Sequence, residues 1–215
     1  MANTKKEVRT EIKNNELVEK KRLQIAKGAS KLFIKKGYHE TSIREISKIT
    51  GLTIGNLYDY ITKKEDVLYL VFDVFHTIWV NSLEEWRILQ IEDPILQLKV
   101  ATEKMTELGH TYRDMVLLMY TESKLLPRHF LKIIMENESK LIKCFEEILR
   151  KGVEKGVFKI EDPFFTANVI VYLLALEPLR GWNLRSNYKD GEIREYTNNI
   201  ILNRLVCPIN VASNK

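Results

Sequence analysis

Apolar residues recur every three to four positions along most of the chain, and no stretch alternates strictly between apolar and polar residues. That period is helical and argues against β-strands. From about Leu17 to Lys36, Ile25, Ala29, Leu32 and Phe33 form a stripe that Gly37 should end. Ile43, Ile46 and Ile49 predict a second, shorter helix. After Gly51 a third should run from about Ile54 to Tyr60. A long element follows from about Lys63 to Leu89, with Val67, Leu68, Val71, Val74, Phe75, Ile78, Trp79, Leu83 and Trp86 spreading around it. Further helices are expected from Pro94 to Leu108, Met115 to Ser123, Pro127 to Gly152, Phe164 to Leu179, and Asp190 to just before Pro208. The expectation is an all-α chain of about nine helices.

The helix ends carry their own signals. Ser42-Ile43-Arg44-Glu45 has the S-x-x-E form of a capping box, and Thr62-Lys63-Lys64-Glu65 has the related T-x-x-E form. Thr53 can cap the third helix. Asp93-Pro94 and Asp162-Pro163 read as a cap followed by a first-turn proline. Gly51 can adopt the left-handed conformation at the end of the second helix, and Gly152 and Gly156 mark a C-terminal end further on. Two short helices joined by a tight turn that contains Gly form a helix-turn-helix, whose second helix enters the DNA major groove.

The same stretch resembles the DNA-binding signature of the TetR/AcrR family of bacterial transcriptional regulators. The resemblance rests on Gly51-Leu52-Thr53-Ile54-Gly55-Asn56-Leu57-Tyr58-Asp59-Tyr60-Ile61 and Lys63-Lys64-Glu65-Asp66-Val67-Leu68. It extends back through Ile25-Ala26, Ala29, Leu32-Phe33, Gly37-Tyr38 and Thr41-Ser42-Ile43-Arg44-Glu45-Ile46, agreeing in order and spacing without a gap. It implies a three-helix DNA-binding domain over residues 1–62 and a helical ligand-binding and dimerisation domain over 63–215. Residues 1–15 are polar and read as a flexible tail, with Lys5, Lys6, Arg9 and Lys13 alternatively an arm that reaches DNA. The helix from Lys63 would bridge the two. A weaker resemblance, of Leu176-Glu177-Pro178-Leu179-Arg180-Gly181-Trp182-Asn183-Leu184-Arg185 to family members that sense acyl-CoA thioesters, implies an effector of that kind.

Charge divides the chain in the same place. Residues 1–65 hold 15 Lys and Arg against 8 Asp and Glu, whereas residues 66–215 hold 19 against 21. The excess positive charge therefore accompanies the helix-turn-helix, as a module that meets phosphates requires, although Lys-rich helix faces are also often simply solvated. The 215 residues are 45% hydrophobic, enough for a buried core, and no apolar run reaches the length of a membrane helix. The N-terminus has no apolar segment of the secretory kind, and Cys144 and Cys207 show no metal spacing, so a reducing cytoplasm is expected. His39, His76, His110 and His129 are scattered, and no nucleophile elbow, P-loop or dinucleotide glycine pattern occurs. These absences point away from an enzyme and from any cofactor or metal.

Candidate residues follow from the motif. Thr53, Ile54 and Asn56 stand where base edges are read: Asn can pair with adenine, and Thr or Ile can touch a thymine methyl. Gly55 leaves room for close backbone approach, and Asn56 is otherwise an exposed polar group that meets only water. Thr41, Ser42, Arg44, Tyr58, Tyr60 and Lys64 are candidates for phosphate contact, with Tyr58 alternatively a core residue. The resemblance implies that Lys64, at the start of the bridging helix, holds the DNA backbone. Trp79, Trp86, Tyr112, Met115, Met119, Tyr120, Phe130, Phe165 and Tyr172 form the pool for an apolar pocket, each alternatively plain core. Arg180 and Arg185 could meet ligand phosphates or cap a helix C-terminus. A homodimer on a near-palindromic double-stranded operator is expected, because one reading helix covers few base pairs. Its interface would be helices 163–181 and 190–206, which could instead be intramolecular core. The rival reading is a DNA-binding protein with no small-molecule effector, controlled by a protein partner or acting structurally on DNA.

Overall fold

The computed structural model describes residues 15–206, which form ten α-helices and no β-strand. The basic residues Lys5, Lys6, Arg9 and Lys13, together with Cys207 and Pro208, lie outside the described residues. The helices are α1 (Asn15–Lys36), α2 (Ile43–Thr50), α3 (Ile54–Tyr58), α4 (Lys64–Glu85) and α5 (Pro94–Thr111). They continue as α6 (Arg113–Glu122), α7 (Arg128–Glu154), α8 (Pro163–Leu174), α9 (Leu176–Leu184) and α10 (Glu192–Ile200). No single helix among them is long and apolar enough to cross a membrane.

Two compact units divide the chain inside α4, at Thr77. The first holds residues 15–77 and 118–134, and the second holds 78–117 and 135–206. The segment 118–134 thus belongs with the N-terminal helices, although it lies far from them along the chain. In the first unit, Ile25, Ala29, Phe33, Ile46, Leu57 and Ile61 are buried, and so is the first part of α4 from Val67 to Phe72. Phe130 stacks on Tyr69 with ring centroids 4.0 Å apart. In the second unit, Trp79, Leu83, Leu98, Met105, Phe145, Leu149, Phe158, Ile170 and Ile201 share one core.

Several helix boundaries lie where the apolar period alone did not place them. α4 ends at Glu85, because Arg87 takes a left-handed φ of 50°. The chain then tucks Ile88 into the core, where the Gln97 side chain donates to its carbonyl at 3.0 Å. The apolar run from Phe164 onward is two helices that meet at a 48° bend. Pro178, in the first turn of α9, has no N–H to return to the preceding turn and so prevents one continuous helix. The last helix gives way to a π-helical turn, Ile201–Leu205.

Gly152 is no terminator. It lies inside α7, and a Cβ placed on it would fall 1.9 Å from Cδ2 of the Phe158 ring. The helix ends at Glu154, and the turn beyond is made by Gly156, at φ 67°. The backbone N–H groups of Val157 and Phe158 then return to the Gly152 carbonyl at 2.9 and 3.1 Å. Gly152 is therefore a seat for a buried aromatic ring. Ala favours a helix over Gly by about 1 kcal/mol, less than the cost of displacing that ring. Gly152→Ala should lower the free energy of unfolding by about 1–3 kcal/mol, read from urea denaturation. A more stable variant would mean that the ring does not occupy this seat.

Candidate nucleic-acid interface

The helix-turn-helix is built from three capped segments on a closely packed base. Ser42 accepts from the Glu45 backbone N–H, and the Glu45 carboxylate accepts from the Ser42 N–H at 2.9 Å, completing the capping box. Glu45 also pairs with Lys36 at 2.6 Å, which ties the start of α2 to the end of α1. The buried face of α2 is Ile46, Ser47 and Thr50, with Ile43 half-buried and Ile49 exposed. The apolar stripe Ile43-Ile46-Ile49 thus drifts off the core face by its third member, and small polar residues take its place. The reason lies on α1. A Cβ on Gly28 would fall 2.7 Å from Cγ2 of Thr50, so the two helices approach too closely for larger side chains.

The turn between α2 and α3 uses the last carbonyls of α2. Gly51 takes φ 67°, and its N–H returns to Lys48. The Gln24 side chain donates to the Thr50 carbonyl, and the Ser47 hydroxyl donates to that of Leu52. The carbonyls of Lys48, Thr50 and Leu52 are thereby satisfied within the fold. Thr53 then caps α3, accepting from the Asn56 N–H at 3.1 Å.

α3 turns Leu57 inward and leaves Thr53, Ile54, Gly55, Asn56 and Tyr58 exposed. A Cβ on Gly55 would meet nothing closer than Thr53 Oγ1 at 4.0 Å, so no contact within the fold requires glycine there. Ser42 and Arg44 are also exposed. Tyr58 is 49% exposed and is not core, whereas Tyr60 is 4% exposed and Thr41 2%. The Thr41 hydroxyl donates to the Gly37 carbonyl at 2.8 Å. Burial removes Thr41 and Tyr60 from the exposed set expected for phosphate contact, because Thr41 closes the α1–α2 turn and Tyr60 the turn after α3. Lys64 is half-buried at the start of α4. The cap of that helix is shifted by one residue from the expected T-x-x-E box. Buried Asp66, not Glu65, accepts from the N–H groups of Thr62 and Lys63 at 2.8 and 3.0 Å.

The apolar residues expected around a ligand pocket fall in both units. Trp79 and Met115 are buried in the second unit, where Trp86 and Tyr112 are half-buried. Met119, Tyr120 and Phe130 belong to the first unit, and Phe130 is committed to Tyr69. Phe165 and Tyr172 point outward on α8, 66% and 58% exposed. Arg180 lies over the Trp182 ring at 5.5 Å. Arg185, the C-terminal cap residue of α9, folds back to within 3.7 Å of the Glu177 carboxylate. An open cavity of about 630 Å³ lies between α5 and α10, but its walls are Lys99, Glu103, Glu107, Arg194, Asn198 and their neighbours, with none of the expected residues.

Glu177 was not foreseen. Its buried carboxylate bonds His110 Nδ1 at 2.8 Å and Arg194 Nη1 at 3.1 Å, joining α9 to α5 and α10. A lone acid inside an apolar run was the available signal. Asp190, His110 and Glu177 are close enough to bracket a cation, but the Arg194 guanidinium already provides the positive charge there.

A capped, exposed reading helix on a rigid three-helix base, joined to a larger helical unit, defines a helix-turn-helix DNA-binding transcriptional regulator. Residues 25–69 match the model for bacterial regulatory proteins of the tetR family, and residues 92–175 match the tetracyclin repressor-like C-terminal domain. Together they span more than half of the chain, which belongs to the TetR family. The chain is 24% identical over 192 residues to the HTH-type transcriptional regulator HbdR of Aromatoleum sp. (strain CIB), covering 87% of this chain and 82% of that protein. Its fold is similar to that of AibR in complex with isovaleryl coenzyme A and operator DNA, with a TM-score of 0.72, 19% identity, and 87% and 99% of the two chains covered. It is likewise similar to FadR from Bacillus subtilis in complex with stearoyl-CoA, with a TM-score of 0.69, 19% identity, and 84% and 97% covered.

The capping box sets a pH dependence. The Lys36 ammonium, with the Ser42 N–H and hydroxyl, holds the Glu45 carboxyl at about 2, below its ordinary 4.5. Because the folded value is lowered, this stabilisation is complete above 4.5 and fades as pH falls through about 2. A carboxylate-detected NMR titration should give Glu45 a midpoint near 2; a midpoint near 4.5 would mean that the box and the ion pair do not persist in solution.

Proposed function

We propose that the protein is a ligand-responsive repressor that binds a near-palindromic operator as a homodimer and leaves it when a small apolar or acyl-CoA-type effector binds. The observation that carries the DNA-reading part is the set Thr53, Ile54, Asn56 and Tyr58, exposed side by side on α3 beside exposed Arg44 and Lys48. In the major groove, Thr53, Ile54 and Asn56 would read base edges, with Gly55 allowing close approach. Ser42, Arg44, Tyr58 and Lys64 would hold phosphates and set register. The excess positive charge of residues 1–65 supports this assignment.

The dimer is supported by exposed apolar side chains on the last three helices. Phe164, Phe165 and Tyr172 on α8, Trp182 on α9, and Tyr196 and Ile200 on α10 are all exposed. Trp182 is 78% exposed. Large apolar side chains exposed in this number favour association with a second copy, and proteins of this family act on DNA as dimers. The effector class is supported by the acyl-CoA complexes of the two structurally similar regulators. The effector would act by favouring a conformation in which the two reading helices no longer match successive major grooves.

Four measurements test this reading. A duplex selected from random sequence should be near-palindromic and bound by two chains, and Trp182→Glu should convert the protein to monomers in analytical ultracentrifugation. Lys64→Ala should weaken all duplexes about equally and reduce the slope of log affinity against log salt by about one. Isovaleryl-CoA or stearoyl-CoA should lower affinity for the selected duplex. If neither these nor intermediate chain lengths do so, the acyl-CoA assignment fails, and a regulator controlled by a protein partner becomes the better account.

A further inference from the structure

The Lys64 ammonium is held on two sides. Its Nζ donates to the His39 carbonyl at 2.9 Å and lies 4.4 Å from the centroid of the Tyr38 ring. Tyr38 is itself fixed, with Phe33 edge-on at 5.2 Å and the His39 ring edge-on at 5.3 Å. The turn that carries both residues is closed by Gly37 at φ 88° and by Thr41, whose N–H donates to the Tyr38 carbonyl at 3.2 Å. Desolvation lowers the Lys64 pKa from 10.5, as expected for an ammonium partly withdrawn from water. Burial, reinforced by Glu65 and Asp66, pushes the Tyr38 phenol up to about 12, so its ring remains neutral.

We propose that Tyr38 is a positioning residue for DNA binding: its ring face and the His39 carbonyl hold the Lys64 ammonium in place, leaving an N–H free for a backbone phosphate. The inference rests on the reading that Lys64 contacts phosphate. A free lysine must be immobilised when it meets a phosphate, whereas one already held over a ring loses less freedom on binding. The ring acts through its π-face, which attracts a partly desolvated cation most strongly, so the phenol oxygen is dispensable.

A double-mutant cycle on the full-length protein separates positioning from plain core packing. Tyr38→Phe and Tyr38→Leu are each combined with Lys64→Met. Each variant is titrated with the selected duplex across a salt series, and its thermal midpoint is recorded. Tyr38→Phe should stay within about twofold of the parent. Tyr38→Leu should weaken binding about 3- to 10-fold, in the range of a cation–π contact, and lower the salt slope toward that of Lys64→Met. In the Lys64→Met background, Tyr38→Leu should cost nothing further in affinity. Equal losses in both backgrounds, or no loss in either, would overturn the positioning role whatever happens to the melting temperature. Lys64→Met leaving affinity and slope unchanged would overturn the phosphate reading as well. If Tyr38→Leu does not fold, Tyr38→pentafluorophenylalanine keeps the ring's shape but inverts its quadrupole. Compared with Tyr38→Phe, it must show the same dependence on Lys64, or the proposal fails.

Discussion

A buried carboxylate sets where the head ends and the long helix begins. Asp66 accepts the N–H groups of Thr62 and Lys63, which no helical partner could satisfy, and in doing so fixes the first residue of α4. Much of the interface depends on that choice. It brings Lys64 against His39 and Tyr38, and the run Val67–Phe72 that follows is buried. The T-x-x-E pattern predicts a start one residue earlier, with Glu65 as the capping acid, whereas buried Asp66 takes that role.

The same economy of space governs the reading head. α1 and α2 meet at Gly28, where even one methyl would press on Thr50. This closeness explains why the buried face of α2 uses Ser47 and Thr50, each hydroxyl donating to a main-chain carbonyl. A small core held by short side chains and internal hydrogen bonds is rigid, and rigidity gives an exposed five-residue helix a defined direction. In the second unit Glu177 performs a comparable service. One buried carboxylate fastens three helices through His110 and Arg194.

What could be read along the chain was whatever depends on neighbours in sequence. The all-α class follows from a 3.6-residue period that recurs throughout. The caps at Ser42, Thr53, Asp93 and Asp162, and the left-handed Gly51, follow from local chemistry acting over two to four residues. The exposed face of α3 follows from Leu57 being its one buried residue. Each of these holds whatever the rest of the fold does.

Tertiary packing decided the remainder, because its partners are distant in sequence. Nothing local shows that Gly152 serves Phe158, that Phe130 belongs against Tyr69, or that Glu177 would find His110, 67 residues away, and Arg194. Nor could local pattern distinguish Tyr58, which faces outward, from Tyr60, which is buried two residues later, since both are amphipathic and both continue the motif. The sequence by itself determined that this chain is helical, where most helices start, and that a short helix follows the tight turn at Gly51. Only the three-dimensional structure decided which polar groups are withdrawn from that surface and how the lysine at its edge is held, because burial belongs to a site enclosed by several segments at once.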